Sequence, residues 1–218
     1  MTEEELGPLP AGRHGFSREQ VAHNQRERLL AGIATAVAEH GYNEVTIAHI
    51  TKAAKVSRRV FYENFESREE CFLAAFDAVV GHVRELVAEA VEAAPDWPHQ
   101  AVAAAREALA FLASEPDLAR LCLVEAQSAG PAIAARFHAA VGELVPPLQR
   151  GRGERSDARE LPASTEDSTI GALISLASRK VAAGEADGLE QLLPDFVQFI
   201  LAPYLGPEEA ERLSAAAA

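Results

Sequence analysis

The sequence has few of the residues that build disulfide frameworks, metal sites or membrane spans. Its 218 residues include two cysteines, Cys71 and Cys122, whose spacing matches neither a metal-ligand pair nor a redox motif. Each cysteine is therefore expected to pack as a small apolar group. No run approaches the ~18 to 20 consecutive apolar residues of a membrane helix. The first residues, MTEEELGPLPAGRHG, are acidic and lack an apolar segment, which argues against a secretory signal and favours a cytoplasmic protein.

The signatures of common enzyme sites are also missing. The sequence holds no glycine-rich phosphate loop, no G-x-S-x-G elbow and no H-E-x-x-H zinc motif. Its seven histidines are scattered without ligand spacing. We therefore expect no catalytic residues, no metal ion and no cofactor.

Aromatic residues make up only 6% of the chain, whereas alanine is abundant, and this composition favours helices. No segment shows the alternation of a strand, so we expect an all-α fold. The predicted helices are 18–40, two short helices beginning after Thr46 and Ser57, and then 67–93, 98–114, 117–128, 131–149, 165–184, 189–203 and 207–214. Residues 1–17 are expected to be a disordered arm, and residues 150–164, which have almost no apolar content, a mobile loop.

The net charge of −13 argues at first against a nucleic-acid partner. The charge is distributed unevenly, however: residues 1–66 carry −1 and residues 67–218 carry −12. Between Glu44 and Glu63 lie four cations and no acid; the cations are Lys52, Lys55, Arg58 and Arg59. Such a window could orient an acidic protein on a polyanion. It could equally be a solvated helix face, and charge alone leaves both interpretations open.

The same window has the pattern of a helix-turn-helix. Thr46 and Ser57 are suitable N-caps for two short helices, and the turn between them, Lys55 to Ser57, is only three residues long. In such a motif the first helix supports the second, whose N-terminal end enters the major groove. Arg58 and Arg59 lie in the first turn of the second helix, where arginine can pair with guanine edges. Phe61 and Phe65 are spaced to pack inward.

The run HGYNEVTIAHITKAAKVSRRVFYENFESREECF resembles the DNA-binding region of the TetR family of bacterial transcriptional regulators. The matching features include Gly41-Tyr42, Thr46, Val56-Ser57 and Phe61-Tyr62. The sequence departs from the family pattern at several positions. Lys55 stands where glycine is frequent, Asn64 where histidine is usual and Arg68 where lysine is usual. A small residue or glycine often follows the serine, whereas here the bulkier and more basic Arg58-Arg59-Val60 follows Ser57. These departures concern the DNA sequence that is read more than the ability to bind DNA.

The resemblance implies a role for each matching residue. Thr46 and Arg68 would hold phosphates, and Tyr62 and Asn64 would contact the DNA backbone. Lys55, Ser57, Arg58 and Arg59 would face base edges or flanking phosphates. A smaller hypothesis concerns arginines that precede or open the first helix as minor-groove contacts: Arg13, Arg18, Arg26 and Arg28.

The resemblance also implies the domain plan: a three-helix DNA-binding domain at 18–67, with its motif at about 46–65, and a larger helical bundle at 68–218 for effector binding and dimerisation. Residues 165–184 and 189–203 would form the dimer interface, or would simply cover the core of the monomer. The apolar side chains considered for that face are Leu173, Leu176, Leu192, Leu193, Phe196, Phe199 and Ile200. A dimer is favoured because one helix-turn-helix reads only a half-site.

An effector site is the least defined part of the prediction. The chosen candidates are Phe76, Trp97, Phe111, Glu125, Phe137 and His138, and other polar groups on apolar helices include His82, Arg84, Arg106, Gln127 and Arg136. Each could instead face solvent or fill the core. The combined hypothesis is a homodimeric repressor that binds a palindromic DNA operator and an unknown small molecule. The alternatives are an activator or architectural factor that binds DNA, and a helical ligand-binding protein or enzyme with an incidental helix-turn-helix.

Overall fold

The computed structural model describes residues 17–217, and these residues form α-helices and short 3₁₀ turns with no strand. The predicted all-α fold is therefore confirmed. The predicted arm, apart from Ser17, lies outside the described residues. The helices are α1 Arg18–His40, α2 Ile47–Ala53, α3 Arg58–Asn64, α4 Arg68–Ala93, α5 Trp97–Ser114, α6 Pro116–Leu123, α7 Pro131–Gly142, α8 Val145–Gln149, α9 Thr165–Ala182, α10 Leu193–Leu205 and α11 Pro207–Ala217. Within this part of the chain, no helix is long and apolar enough to cross a membrane.

The chain divides into two compact units, Met1–Ala78 and Val79–Ala218, and the division falls within α4. In the N-terminal unit, α1 packs against α2 and α3. Its core consists of fully or almost fully buried apolar side chains, among them Leu29, Ile33, Ile50, Phe61, Phe65 and Phe72. Burial of several large side chains of this kind, each stabilising by roughly 1.5 to 3 kcal/mol, fixes α3 on its supports.

Two glycines of the N-terminal unit are required by its geometry. Gly41 ends α1 with a φ of 73°, in the region that favours glycine. Gly32 lies in the middle of α1, where a Cβ atom would stand 2.7 Å from the Cβ of Ala54 and 2.8 Å from its amide nitrogen. The missing side chain therefore lets α1 approach the end of α2 closely.

The C-terminal unit has its own apolar core, supplied mainly by α5, α10 and α11. Leu189, Val197, Leu201 and Tyr204 are completely buried in it. The helix predicted at 189–203 is split, because a 3₁₀ turn, Ala186–Leu192, precedes α10. The helix predicted at 117–128 likewise ends at Leu123 and is followed by the 3₁₀ turn Glu125–Gln127.

The polar segment 150–164 is not the featureless loop that its composition predicts. It contains two 3₁₀ turns, Arg150–Gly153 and Asp157–Glu160, and both Gly151 and Ala158 are buried. A Cβ atom on Gly151 would lie 2.4 Å from the Trp97 ring, so the backbone packs directly against the indole. The packing of the small residues Gly151 and Ala158 and an ion pair of Arg152 order this segment.

That ion pair joins Arg152 to Glu166, the second residue of α9. The Nε and Nη2 atoms of Arg152 each donate to one carboxylate oxygen at 2.8 Å, and the Tyr204 hydroxyl donates to the same carboxylate at 3.0 Å. The Glu166 side chain is only 1% exposed. These hydrogen bonds, the one from Arg152 first, hold the pKa of Glu166 below its ordinary value although burial acts in the opposite direction.

Candidate nucleic-acid interface

Local hydrogen bonds define where the two short helices begin. The Thr46 hydroxyl accepts from the His49 amide at 3.3 Å, and the imidazole Nδ1 of His49 accepts in return from the Thr46 amide at 3.4 Å. The Ser57 hydroxyl accepts from the Val60 amide at 3.2 Å. Both predicted N-caps are therefore present, and α2 and α3 form a helix-turn-helix.

The turn between these helices carries an unusual backbone conformation. Lys55 has a φ of 53°, in the left-handed region, and its amide donates to the carbonyl of Lys52 at 3.2 Å. The next amide, of Val56, donates to the carbonyl of Thr51 at 3.0 Å. These bonds fold the chain back before Ser57 starts α3.

The face of α3 that is turned away from the core is cationic. Lys55, Ser57, Arg58 and Arg59 are all exposed, whereas Phe61 is fully buried. Tyr62 is 54% exposed, and its ring meets Phe61 edge-on at a centroid distance of 5.5 Å. This face presents two guanidinium groups, an ammonium and a phenol, which are groups that bind phosphates and base edges.

Arg59 differs from its neighbours because it has an acidic partner. Its Nε atom donates to the Glu63 carboxylate at 2.8 Å, one helical turn along α3. The Arg59 side chain is nevertheless 87% exposed, so solvent screens this pair strongly. An incoming phosphate could therefore replace the carboxylate.

The remaining DNA-contact candidates differ in their freedom. Thr46 is exposed at the start of α2. Asn64 is half-buried, and its Nδ2 atom donates to the Val60 carbonyl at 2.8 Å. Arg68 is half-buried too: its Nη1 atom donates to the carbonyl of Val45 at 2.5 Å, and its guanidinium lies 4.4 Å above the Tyr42 ring. Arg68 therefore ties α4 to the chain just before α2.

Of the predicted minor-groove contacts, Arg13 lies outside the described residues and Arg28 is not available to DNA. The Arg28 side chain is buried, with 9% exposure, and it donates to the carbonyls of Ala54 and Lys55. Sequence patterns could not reveal this role, because its partners are backbone atoms 26 and 27 residues away.

The six chosen effector residues differ in burial and in their packing partners. Phe76 is a core residue of the N-terminal unit. Trp97 is buried in the C-terminal core, edge-on to Tyr204, and donates to the Pro147 carbonyl at 2.9 Å. Glu125 is buried 3.4 Å from Arg120. Phe111 is half-buried on α5, and on α7 Phe137 is buried and His138 exposed.

The C-terminal unit does contain a cleft of about 200 Å³. None of the six chosen effector residues lines it, although Arg106, one of the other polar groups considered, does. The lining residues are Arg106, Leu109, Ala110, Glu190, Gln191, Leu193, Pro194 and Ala217. Arg106 also donates to the carbonyl of Ala217 at 3.0 Å, which attaches α11 beside the cleft.

Residues 29–75, which include the whole helix-turn-helix, match the model for bacterial regulatory proteins of the tetR family. Among curated protein sequences, no relative matches the chain.

Several solved structures of transcriptional regulators are similar to this chain. The fatty acid degradation regulator FadR from Bacillus halodurans is similar with a TM-score of 0.71 and 19% identity, over 80% of this chain and 97% of that one. FadR from Bacillus subtilis, solved in complex with stearoyl-CoA, is similar with a TM-score of 0.65 and 16% identity, over 83% of this chain and 98% of that one. A TetR-like transcriptional regulator from Rhodococcus sp. RHA1 is similar with a TM-score of 0.65 and 19% identity, over 82% of this chain and 93% of that one. Residues 29–75 therefore match the tetR family of bacterial regulatory proteins in sequence, and the chain has the fold of solved TetR-family regulators.

Proposed function

We propose that this chain is a cytoplasmic repressor that binds a palindromic DNA operator as a homodimer and releases it when a small molecule binds. Residues 18–67 would read the DNA and residues 68–218 would bind the effector and dimerise. The observation that carries the proposal is the capped helix α3, whose exposed face presents Lys55, Arg58 and Arg59. No acid interrupts the sequence between Glu44 and Glu63, so this face attracts a polyanion although the whole chain is acidic.

In this proposal α3 enters the major groove with its N-terminal end. Lys55, Ser57, Arg58 and Arg59 reach base edges or flanking phosphates, and the Tyr62 phenol reaches the DNA backbone. Thr46, Asn64 and Arg68 would contact the backbone as well. Since the side chains of Asn64 and Arg68 already bond within their own unit, their contribution to affinity should be smaller than that of Arg58.

A homodimer is supported by the need for two half-sites and by the apolar surface of α9 and α10. Phe199 is 50% exposed on α10, and Leu173 and Leu176 on α9 are half-buried. Leu193, Phe196 and Ile200 are instead buried within the unit, so they belong to the core and not to a free face. The proposed interface therefore includes only some of the apolar residues between 165 and 203.

The effector is proposed to be an apolar or amphipathic molecule that binds in the C-terminal unit. Support comes from the relative that was solved with stearoyl-CoA. The cleft beside Arg106 is small at about 200 Å³, less than drug-sized ligands usually occupy. A long acyl chain would fit only if the helices of this unit moved apart. A ligand that binds this open conformation more tightly than the closed one would shift the population towards the open conformation.

The test is selection of a preferred operator from random DNA by the purified full chain, followed by affinity measurements. We expect the selected site to bind at least ~10³-fold more tightly than random DNA. Arg58→Ala and Arg59→Ala should each weaken operator binding by about 5- to 100-fold, without lowering the melting temperature. Arg159→Ala, an exposed arginine of the C-terminal unit, is the matched control and should have little effect.

Selection that yields no preferred site would contradict the proposal. A melting temperature of Arg58→Ala far below that of the natural chain would instead show that Arg58 stabilises the fold. The stoichiometry of the complex tests the dimer, since two chains per operator are expected and one chain per operator would exclude it. Stearoyl-CoA, titrated into the complex, is the first effector probe, and release of DNA at micromolar concentration would support this ligand class.

A further inference from the structure

The turn that aims α3 holds a residue in a conformation that it would not readily adopt alone. Among residues 17–217, Lys55 is the one non-glycine residue with a positive φ, at 53°. Side chains with a Cβ atom are uncommon in this region, and such a conformation persists only where the surroundings hold it. Some feature of the fold must therefore stabilise the turn at Lys55.

The guanidinium of Arg28 is the group in position to do so. Its Nη2 atom donates to the Ala54 carbonyl at 2.6 Å and to the Lys55 carbonyl at 2.5 Å. These carbonyls follow the last residue of α2, where backbone acceptors lack partners within the helix. Hydrogen bonds from a charged donor are stronger than neutral ones, and the 9% exposure of Arg28 shields them from water.

The backbone of α1 lies close to the same turn. Gly32 is one helical turn after Arg28, and its missing side chain allows the near contact with Ala54. Arg28 and Gly32 thus place a donor and a gap on one face of α1, both directed at the end of α2. The turn is held by a specific pair of features and not only by general packing.

Only Val56 and Ser57 separate Lys55 from the first residue of α3, so the conformation of Lys55 determines where the Arg58 side chain points. We infer that Arg28 is a positioning residue for DNA recognition: it clamps the Ala54 and Lys55 carbonyls, holds Lys55 left-handed and so sets the orientation of α3. The effect of Arg28 on DNA binding rests on the proposed function. Its effect on the turn at Lys55 rests on the two hydrogen bonds alone.

Hydrogen exchange on the full chain tests the clamp without any DNA. Arg28→Met keeps an unbranched stem of similar length but removes the donors. We expect the amides of Lys55 and Val56, which bond to Lys52 and Thr51, to exchange at least tenfold faster. The amide of Gly206, in the C-terminal unit, serves as the internal reference and should be unchanged. Unchanged exchange at Lys55 and Val56 would overturn the inference.

Operator binding tests the consequence, with Arg159→Met as the matched control. Arg159 is an exposed arginine of the C-terminal unit and is not a proposed DNA contact. Arg28→Met should weaken operator binding at least tenfold, and Arg159→Met less than threefold. Equal losses in the two variants would mean that Arg28 acts through its charge alone, which would overturn the positioning role.

A double-variant cycle separates positioning from general stability. Glycine adopts a positive φ without strain, so Lys55→Gly removes the need for the clamp. Lys55→Gly loses a cation itself, and the effect of Arg28→Met is therefore measured within each background. We expect the at least tenfold loss to shrink below threefold when residue 55 is glycine. Equal losses in both backgrounds would overturn the inference.

If Arg28→Met fails to fold, Arg28→Lys, which keeps a donor on a shorter stem, is compared in the same two backgrounds, and equal losses again count against the clamp. If the natural chain shows no preferred DNA site, the proposed function fails. The exchange rates at Lys55 and Val56 would still decide whether Arg28 fixes the turn.

Discussion

Each of the two units of this protein buries part of an arginine side chain, and the hydrogen-bond acceptors of that side chain differ between the units. In the N-terminal unit, Arg28 donates to the carbonyls of Ala54 and Lys55. In the C-terminal unit, Arg152 donates to both oxygens of the Glu166 carboxylate. A carbonyl satisfies the donor but carries no net charge, whereas the carboxylate cancels the charge of the guanidinium.

Arg68 repeats the N-terminal pattern, because its Nη1 atom donates to the Val45 carbonyl. The difference suits the distribution of charge, which is −1 over residues 1–66 and −12 over residues 67–218. A unit that is proposed to bind DNA can use guanidinium groups as structural links, because carbonyl acceptors leave their positive charge uncancelled. The acidic unit uses one to compensate a buried carboxylate, as charges removed from water require.

The largest expected effect comes from breaking the C-terminal ion pair. Glu166→Ala leaves the Arg152 guanidinium with only the carbonyls of Leu161 and Pro162 from its present set of partners, and it leaves the Tyr204 hydroxyl without its acceptor. We expect the free energy of unfolding of the full chain to fall by about 1 to 3 kcal/mol, because the buried Tyr204 hydroxyl is left without its acceptor. Urea denaturation followed by circular dichroism measures this loss.

Asp157→Ala is the control for that variant. Asp157 is exposed and pairs with Arg155 in the same polar segment at 2.5 Å, so its loss should change stability very little. If Asp157→Ala and Glu166→Ala were equally mild, the buried pair would not order residues 150–164. The carboxylate acceptor of Arg152 would then differ from the carbonyl acceptors of Arg28 in geometry but would not add to the stability of the protein.

A pH titration sharpens the same contrast. The pKa of Glu166 is lowered in the folded protein, chiefly by the hydrogen bond from Arg152. Its contribution to stability is therefore fully present above the ordinary glutamate pKa of about 4.3 and is lost as the pH falls through the lower, folded-state pKa. The difference in unfolding free energy between the natural chain and Glu166→Gln should be constant near neutral pH and should shrink below about pH 4. A difference that grew on acidification would contradict this assignment.

The sequence predicted the helix-turn-helix well because its signals are local. The hydroxyls of Thr46 and Ser57 bond amides three residues later, and Gly41 ends α1 where the helical pattern stops. Ser67 also caps the next helix, through the Glu70 amide. The Glu70 carboxylate in turn accepts from the Glu66 amide at 2.6 Å.

What the sequence could not predict depends on distant partners or on small residues. Arg28 looked like a surface cation because its acceptors are backbone carbonyls, which no residue pattern identifies. Gly151 and Ala158 looked like loop residues, although both are buried. The sequence did not identify the residues that line the cleft beside Arg106, because an apolar residue on a helix has the same pattern whether it lines a cleft or fills the core, as Trp97 does.

The smallest expected effect concerns Glu63, which pairs with a cation of the proposed DNA-binding face. Glu63 is an acid that reaches a cation of the α3 face, since it accepts from Arg59 at 2.8 Å. Glu63→Gln should free Arg59 for DNA and tighten operator binding about two- to fivefold at low salt, with the gain fading as salt screens the charges. Glu66→Gln removes an equal charge from an exposed position in the same unit and should gain less. Because the Arg59–Glu63 pair is exposed, neither variant should shift the melting temperature. Equal gains in both would show that net charge governs the affinity, whereas a larger gain from Glu63→Gln would show that DNA competes with this carboxylate for Arg59.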